Sequence, residues 1–112
     1  RRHRGEQLGV RMIDAGADML VGGHPHVTQC AAMSKSTPIV YSLGNFLFNS
    51  FDTESTTTGW VLSARIGRDG VREWRTYVAR LDGDGVPHPA FDKASPCGRA
   101  GDADIGECRG AP

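Results

Sequence analysis

A short apolar run lies between two glycine turns near the start of the chain and limits the folds that this sequence can adopt. Residues 19–21, Met-Leu-Val, follow shortly after Gly16 and end directly at a Gly-Gly pair at residues 22–23. Before them, apolar residues recur with mostly helical spacing over residues 6–15, and Gly16 stands where a helix-terminating glycine is expected. The pattern predicts a helix, a tight turn and a buried parallel strand, which together make one unit of an α/β sheet.

Further strand-forming segments follow this unit. Residues 38–42, Pro-Ile-Val-Tyr-Ser, are rich in β-branched and aromatic side chains and predict a second strand. Residues 60–66 and 71–81 flank a Gly-Arg-Asp-Gly sequence at residues 67–70, which predicts a β-hairpin, and residues 82–85 predict a turn after it. We therefore expect a mixed α/β (α+β) fold with one helix, strands and a β-hairpin.

The end of the chain is predicted to contribute little to the core. Residues 93–112 have almost no large apolar side chains and are rich in Gly, Ala and Asp. This composition predicts a flexible tail, because it cannot bury enough apolar surface to fold independently. The expected domain therefore covers residues 1–92. Cys97 and Cys108 lie in the tail, and the sequence leaves open whether they form a disulfide or stay free thiols.

Charge and hydropathy exclude two classes of partner. The 112 residues include 13 Lys+Arg and 13 Asp+Glu, so the chain has no basic field that would attract nucleic acid or an anionic membrane surface. No apolar run approaches the roughly 20 residues that cross a bilayer, so no transmembrane segment is expected. Partners must therefore be recognised by local chemistry.

Two histidines give the sharpest chemical signal. His24 and His26 lie two residues apart, directly after the first predicted strand, at the sheet edge where α/β proteins bind ligands. Neutral imidazole is the commonest metal ligand, so both rings can bind one ion, and the alternative is a solvated turn fixed by Pro25. Asn45, at the end of the second predicted strand, is either a turn residue or an amide that contacts a phosphate or carboxylate oxygen.

Other candidate groups are weaker. A catalytic ion needs at least three protein ligands, and His3 and His88 fall in ends that are predicted to be disordered, so these residues do not complete a metal site. The predicted hairpin also carries four arginines, which favour a solvated sheet face, with an anion-binding cluster as the alternative. These four are Arg65, Arg72, Arg75 and Arg80.

Two motifs follow each other along the chain. Residues 21–27 read Val-Gly-Gly-His-Pro-His-Val, and residues 38–48 read Pro-Ile-Val-Tyr-Ser-Leu-Gly-Asn-Phe-Leu-Phe. In this order the two motifs resemble those of the capsule biosynthesis CapA family, also called poly-γ-glutamate synthesis proteins. We expect the resemblance to extend over residues 7–81. It implies a fold similar to the calcineurin-like metallophosphoesterases, a four-layer αββα sandwich, of which this chain is expected to form the C-terminal part.

The resemblance also implies a chemistry. His24 and His26 match the family's Gly-His-x-His motif and are expected to be catalytic metal ligands in a site for two divalent ions, and Asn45 is expected to contact the substrate. The family's other ligand-bearing elements are not present in these residues, so the site is expected to be incomplete here. With those elements, the implied activity is hydrolysis of a phosphoester substrate by a metal-dependent enzyme of capsule or poly-γ-glutamate production.

Alternatives to the hydrolase stay open at this point. In the first alternative, the protein is a non-catalytic accessory subunit that binds an anionic polymer within a membrane capsule-synthesis complex. In the second, the segment is an inactive truncated product. The family resemblance is compatible with an extracytoplasmic, membrane-associated location through upstream segments, while the residues themselves leave the location open.

Overall fold

The structure, a computed structural model, describes residues 2–23, 28–34, 36–46 and 57–112, with only the backbone given for residues 2–7. Within these ranges the chain forms one helix and two β-sheets. The helix α1 spans Arg2–Asp14. The strands are β1 (Leu20–Val21), β2 (Thr28–Ser34), β3 (Thr37–Leu43), β4 (Thr58–Gly67), β5 (Gly70–Leu81), β6 (Pro87–Pro89), β7 (Ser95–Arg99) and β8 (Gly106–Cys108).

Helix α1 ends as predicted, at a glycine with left-handed backbone geometry. Gly16 has a φ of 111°, and its amide donates to the Ile13 carbonyl at 2.9 Å. The helix approaches the first sheet at Gly9, where a Cβ would lie 3.4 Å from the Leu20 side chain. A residue without a side chain at this position lets the helix backbone pack closely on β1.

The first sheet has the strand order β1-β3-β2. β1 pairs with β3 in parallel, with Val21 opposite Val40, and Val40 is fully buried. β2 and β3 form an antiparallel hairpin whose turn contains Ser36 at a φ of 67°. The strands predicted at residues 19–21 and 38–42 are confirmed as β1 and β3, and the parallel pairing of β1 is confirmed as well. The predicted burial of β1 is wrong, because β1 is an edge strand in which Val21 is exposed.

Strand β2 is not predicted by the sequence. Residues 28–34 read Thr-Gln-Cys-Ala-Ala-Met-Ser, and Thr28 is their single β-branched residue, so their intrinsic preference for a strand is weak. The strand forms because it pairs with β3 from Thr28, opposite Leu43, to the turn that joins the two strands. Pairing with a strong neighbour therefore overrides the local preference of these residues.

The second sheet is antiparallel and has the order β4-β5-β7-β8, with β6 also paired to β5. β4 and β5 confirm the predicted hairpin. Along β5, Trp74, Thr76 and Val78 alternate with less buried residues and are themselves buried. This two-residue period gives β5 one buried face and one that is more accessible.

The structure differs from the flexible tail predicted at residues 93–112. There β7 pairs with β5, β8 pairs with β7, and a disulfide joins Cys97 to Cys108. The buried Ser95 hydroxyl donates to the Thr76 carbonyl at 2.9 Å. The disulfide and the hydrogen bonds to β5 replace the apolar core that these residues lack, and neither attachment is visible in composition.

The architecture is mixed α+β and made mostly of strands, in agreement with the predicted class. The four-layer αββα sandwich stays a prediction. In the part of the chain that the structure describes, no helix combines the length and the apolar character needed to cross a membrane.

Candidate functional site

The carboxyl ends of β1 and β3 lie side by side, which brings the start of the first motif beside the second. The Gly22 amide donates to the Val40 carbonyl at 2.7 Å. A Cβ on Gly22 would overlap the carbonyl oxygen of Tyr41, so this position requires glycine. The first glycine after β1 therefore allows the chain to run in direct contact with β3.

The two predicted metal ligands, His24 and His26, lie outside the described residues. Gly23 precedes this segment and follows β1, while Thr28 follows it as the first residue of β2. Since β1 and β2 lie on opposite sides of β3, the flanks of the segment stand on either side of the strand that leads to Asn45. The metal-binding role of both histidines stays a prediction.

Asn45 is buried at a junction between the two sheets. It is 7% exposed and follows Gly44, whose amide donates to the hydroxyl oxygen of the buried Ser42 at 3.2 Å. Gly44 has a φ of 74° and forms a β-bridge with Gly59 of the second sheet. A Cβ on Gly59 would overlap the backbone carbonyl of Asn45. The Ser-Leu-Gly-Asn stretch therefore holds the first sheet against β4.

The contact of the second motif with β4 is not predicted by the sequence. The available signal was the single glycine at the start of β4, since glycine inside a strand often marks a close approach by another backbone. The expected contact between Asn45 and a substrate stays a prediction.

The described residues do not fit a metal ion on their own. Among residues 2–23, 28–34, 36–46 and 57–112, no group of three His, Cys, Asp or Glu side chains is placed to hold one. Catalytic zinc sites use three protein ligands, so a site of this kind would need ligands from outside this part of the chain.

His88, expected in a disordered end, instead lies in β6 and has a defined partner. Its Nε2 is 2.7 Å from Oδ2 of Asp82. This hydrogen bond, together with those from the backbone amides of Val86 and Asp84, holds the pKa of the Asp82 carboxyl below its ordinary value. The pair belongs to the predicted turn after β5, which is confirmed, and not to the ends of β1 and β3.

Comparison with known families covers the segment that contains both motifs. Residues 2–50 match the family described as bacterial capsule synthesis protein PGA_cap. These residues are similar to that capsule synthesis family, and the match covers less than half of the chain. The family match ends at residue 50, before the second sheet begins, whereas the resemblance was expected to reach residue 81.

Individual relatives match the same segment. The segment is 54% identical over 46 residues to the capsule biosynthesis protein CapA of Bacillus anthracis. The aligned region is 41% of this chain and 11% of that protein. It is 52% identical over 46 residues to the PGA biosynthesis protein CapA of Bacillus subtilis, covering 41% of this chain and 12% of the relative. The match thus spans about a tenth of these relatives' lengths. No solved structure matches the chain.

Proposed function

We propose that this chain is part of a metal-dependent phosphoester hydrolase that acts in the synthesis of capsule or poly-γ-glutamate. The observation that carries the proposal is the family match over residues 2–50, which includes both motifs at the neighbouring ends of β1 and β3. The two Bacillus relatives are named for capsule and PGA biosynthesis, which supports the same process for this chain.

In this proposal His24 and His26 supply two imidazole ligands to a divalent ion, and Asn45 offers its amide to an oxygen of the substrate. The positions of their flanking residues support it, because Gly22 contacts β3 directly and Asn45 follows the same strand. The remaining metal ligands come from residues outside the described part of the chain. The substrate is a phosphoester or an anionic polymer that carries one.

A histidine substitution with a matched control tests the metal ligands. In the full-length product of the gene, His24→Ala is expected to lower both the amount of Mn²⁺ or Zn²⁺ bound per protein and the phosphoesterase activity. The reason is that the substitution removes one imidazole that binds the ion directly. His88→Ala removes a histidine that is hydrogen-bonded to Asp82 in a separate turn, and it is expected to leave both unchanged. Metal content is measured by elemental analysis after dialysis.

Two outcomes would contradict the proposal in different ways. Unchanged metal content in His24→Ala removes the assignment of His24 as a ligand. In the second outcome, His24→Ala loses its metal, but the unmodified protein has no activity on a panel of phosphomonoesters and phosphodiesters. This result rejects the hydrolase and favours the accessory, non-catalytic role.

A further inference from the structure

A groove on the second sheet has chemistry that the family assignment does not explain. It has a volume of about 620 Å³ and is lined by residues of β4, β5, β7 and β8, including the disulfide Cys97–Cys108. All of its lining residues lie beyond residue 50, where the family match ends. The groove is therefore separate from the two strand-end motifs.

Arginines from three neighbouring strands line this groove. Arg65 of β4 is opposite Glu73 of β5, and Glu73 is opposite Arg99 of β7, so the three side chains form one row on the same sheet face. Arg75 follows Glu73 by two residues and lies on that face as well. Asp102 completes the charged lining.

The guanidinium of Arg75 is held in place before any ligand arrives. It stacks over the ring of Tyr77, with 4.4 Å between Cζ and the ring centroid, and Nη2 donates to the Gly110 carbonyl at 3.2 Å. Tyr77 in turn contacts Phe91 edge to face, with the ring centroids 6.0 Å apart. A fixed guanidinium loses little conformational entropy when it binds an anion.

The other two arginines differ in how far their charge is neutralised. Arg65 is 3.5 Å from Glu73, in a largely exposed pair that contributes little stability. Arg99 is exposed, and within the described ranges its guanidinium forms no ion pair, while its backbone amide donates to Asp102. Arg99 is consequently the cation most available to a ligand.

The spacing of these arginines fits an extended chain. Arg75 and Arg99 are diagonal neighbours on adjacent strands, because Arg75 is opposite Cys97 and Arg99 lies two residues further on. Diagonal positions are about 7–8 Å apart. Alternate residues of an extended chain are separated by about 7 Å, which matches this distance.

We propose that the groove binds an extended acidic peptide whose carboxylates occur at every second residue. Guanidinium groups bind carboxylates through two parallel hydrogen bonds, so Arg75 and Arg99 each take one carboxylate. Glu73 and Asp102 lower the positive charge of the groove and disfavour a densely charged polyanion such as polyphosphate. This proposal does not depend on the phosphoester hydrolase, since it uses none of the same residues.

The test measures binding of a ten-residue peptide in which Glu and Ser alternate, with fluorescence anisotropy at low and at physiological ionic strength. The same peptide with Gln in place of Glu is expected not to bind. Arg99→Gln is expected to weaken binding about tenfold, the loss of one charged hydrogen-bonded pair. Arg68→Gln makes the same charge change in the turn between β4 and β5, outside the groove, and is expected to leave the affinity unchanged.

Arg75→Lys provides a second, charge-conserving variant. It keeps the positive charge but loses the planar fork and the stacking on Tyr77, so weaker binding is expected. The thermal unfolding midpoint of each variant is measured first. If Arg75→Lys does not fold, the test rests on Arg99→Gln. The proposal is overturned if the acidic peptide does not bind, or if Arg99→Gln and Arg68→Gln lose the same amount of affinity for it. It is also overturned if polyphosphate binds more tightly than the peptide.

Discussion

At the scale of single residues, Asp82 organises the turn that follows β5. Its Oδ1 accepts hydrogen bonds from the amides of Asp84 at 2.8 Å and Val86 at 3.0 Å, and its Oδ2 is 2.7 Å from His88. An Asp carboxylate that accepts hydrogen bonds from backbone amides shortly after it in the chain is a common way to stabilise such a turn. The Asp-Gly-Asp-Gly sequence predicted this turn, but it gave no sign that His88 closes it from β6.

The ionisation of Asp82 gives a prediction about acid stability. Because its pKa is lowered in the folded protein, chiefly by the hydrogen bond with His88, its stabilising effect is present above the pKa of the unfolded chain. The effect is lost as the pH falls through the lower pKa of the folded state. A carboxyl titration by NMR is expected to show the Asp82 midpoint below its ordinary value.

His88→Ala is the variant that isolates the cause. Without the imidazole, the Asp82 carboxyl keeps only its backbone hydrogen bonds, so its pKa is expected to move back towards the ordinary value. An Asp82 midpoint that is identical in both proteins would contradict the role given to His88.

At the scale of elements, β7 and β8 depend on a covalent link rather than on an apolar core. Cys97 and Cys108 are 11 positions apart in the sequence and join the two strands. Cys97 is buried, and Gly98 beside it leaves the space that the Trp74 indole occupies, since a Cβ there would lie 2.7 Å from Nε1. The disulfide and the Trp74 indole thus lie on opposite faces of β7, at consecutive residues.

Loss of this disulfide is expected to destabilise the second sheet. Closing a loop of this length contributes about 3 kcal/mol to the free energy of unfolding, through the reduced entropy of the unfolded chain. Cys108→Ser is therefore expected to lower the free energy of unfolding by about that amount in urea denaturation followed by tryptophan fluorescence. Cys30→Ser, which replaces an exposed free cysteine on β2, is the control and is expected to change it by less than about 0.5 kcal/mol. Equal effects of the two substitutions would refute the structural role of the link.

At the scale of the whole molecule, the two sheets meet where Gly44 bridges Gly59. A Cβ on Gly44 would lie 2.7 Å from the Thr58 carbonyl oxygen, and one on Gly59 would overlap the Asn45 carbonyl. Both contacts involve backbone atoms, which cannot move aside as the end of a long side chain can. The junction between the sheets thus requires glycine on both sides.

Gly59→Ala is expected to destabilise the protein by about 2–3 kcal/mol, because the added methyl group forces the two backbones apart. Gly83→Ala serves as the control, since a Cβ at that turn position meets no atom within 4 Å. Both free energies of unfolding are measured by urea denaturation. A loss in Gly59→Ala that does not exceed the loss in Gly83→Ala would show that the junction tolerates a side chain.

The candidate site was accessible to sequence reasoning only in part. The paired motifs predict the similarity to the capsule synthesis family that the match over residues 2–50 shows, because their residues and order are specific. β1 and β3 confirm the strands in which the two motifs begin. Arg75 was already recognised as one of four arginines on the hairpin, with an anion site as the alternative. Arg99 was missed, because its place beside Glu73 depends on β7 pairing with β5.

Elements with local signals follow from the amino-acid sequence alone. Helix α1 ends near Gly16, and β4 and β5 form a hairpin around residues 67–70, because periodicity and turn residues act within a few positions of the chain. Other features became visible only in the folded chain: β2, the ordered residues beyond 93, the bridge of Gly44 to Gly59 and the groove. Each of these depends on a partner strand or a covalent link whose stabilisation comes from packing and pairing in three dimensions, which local preference does not encode.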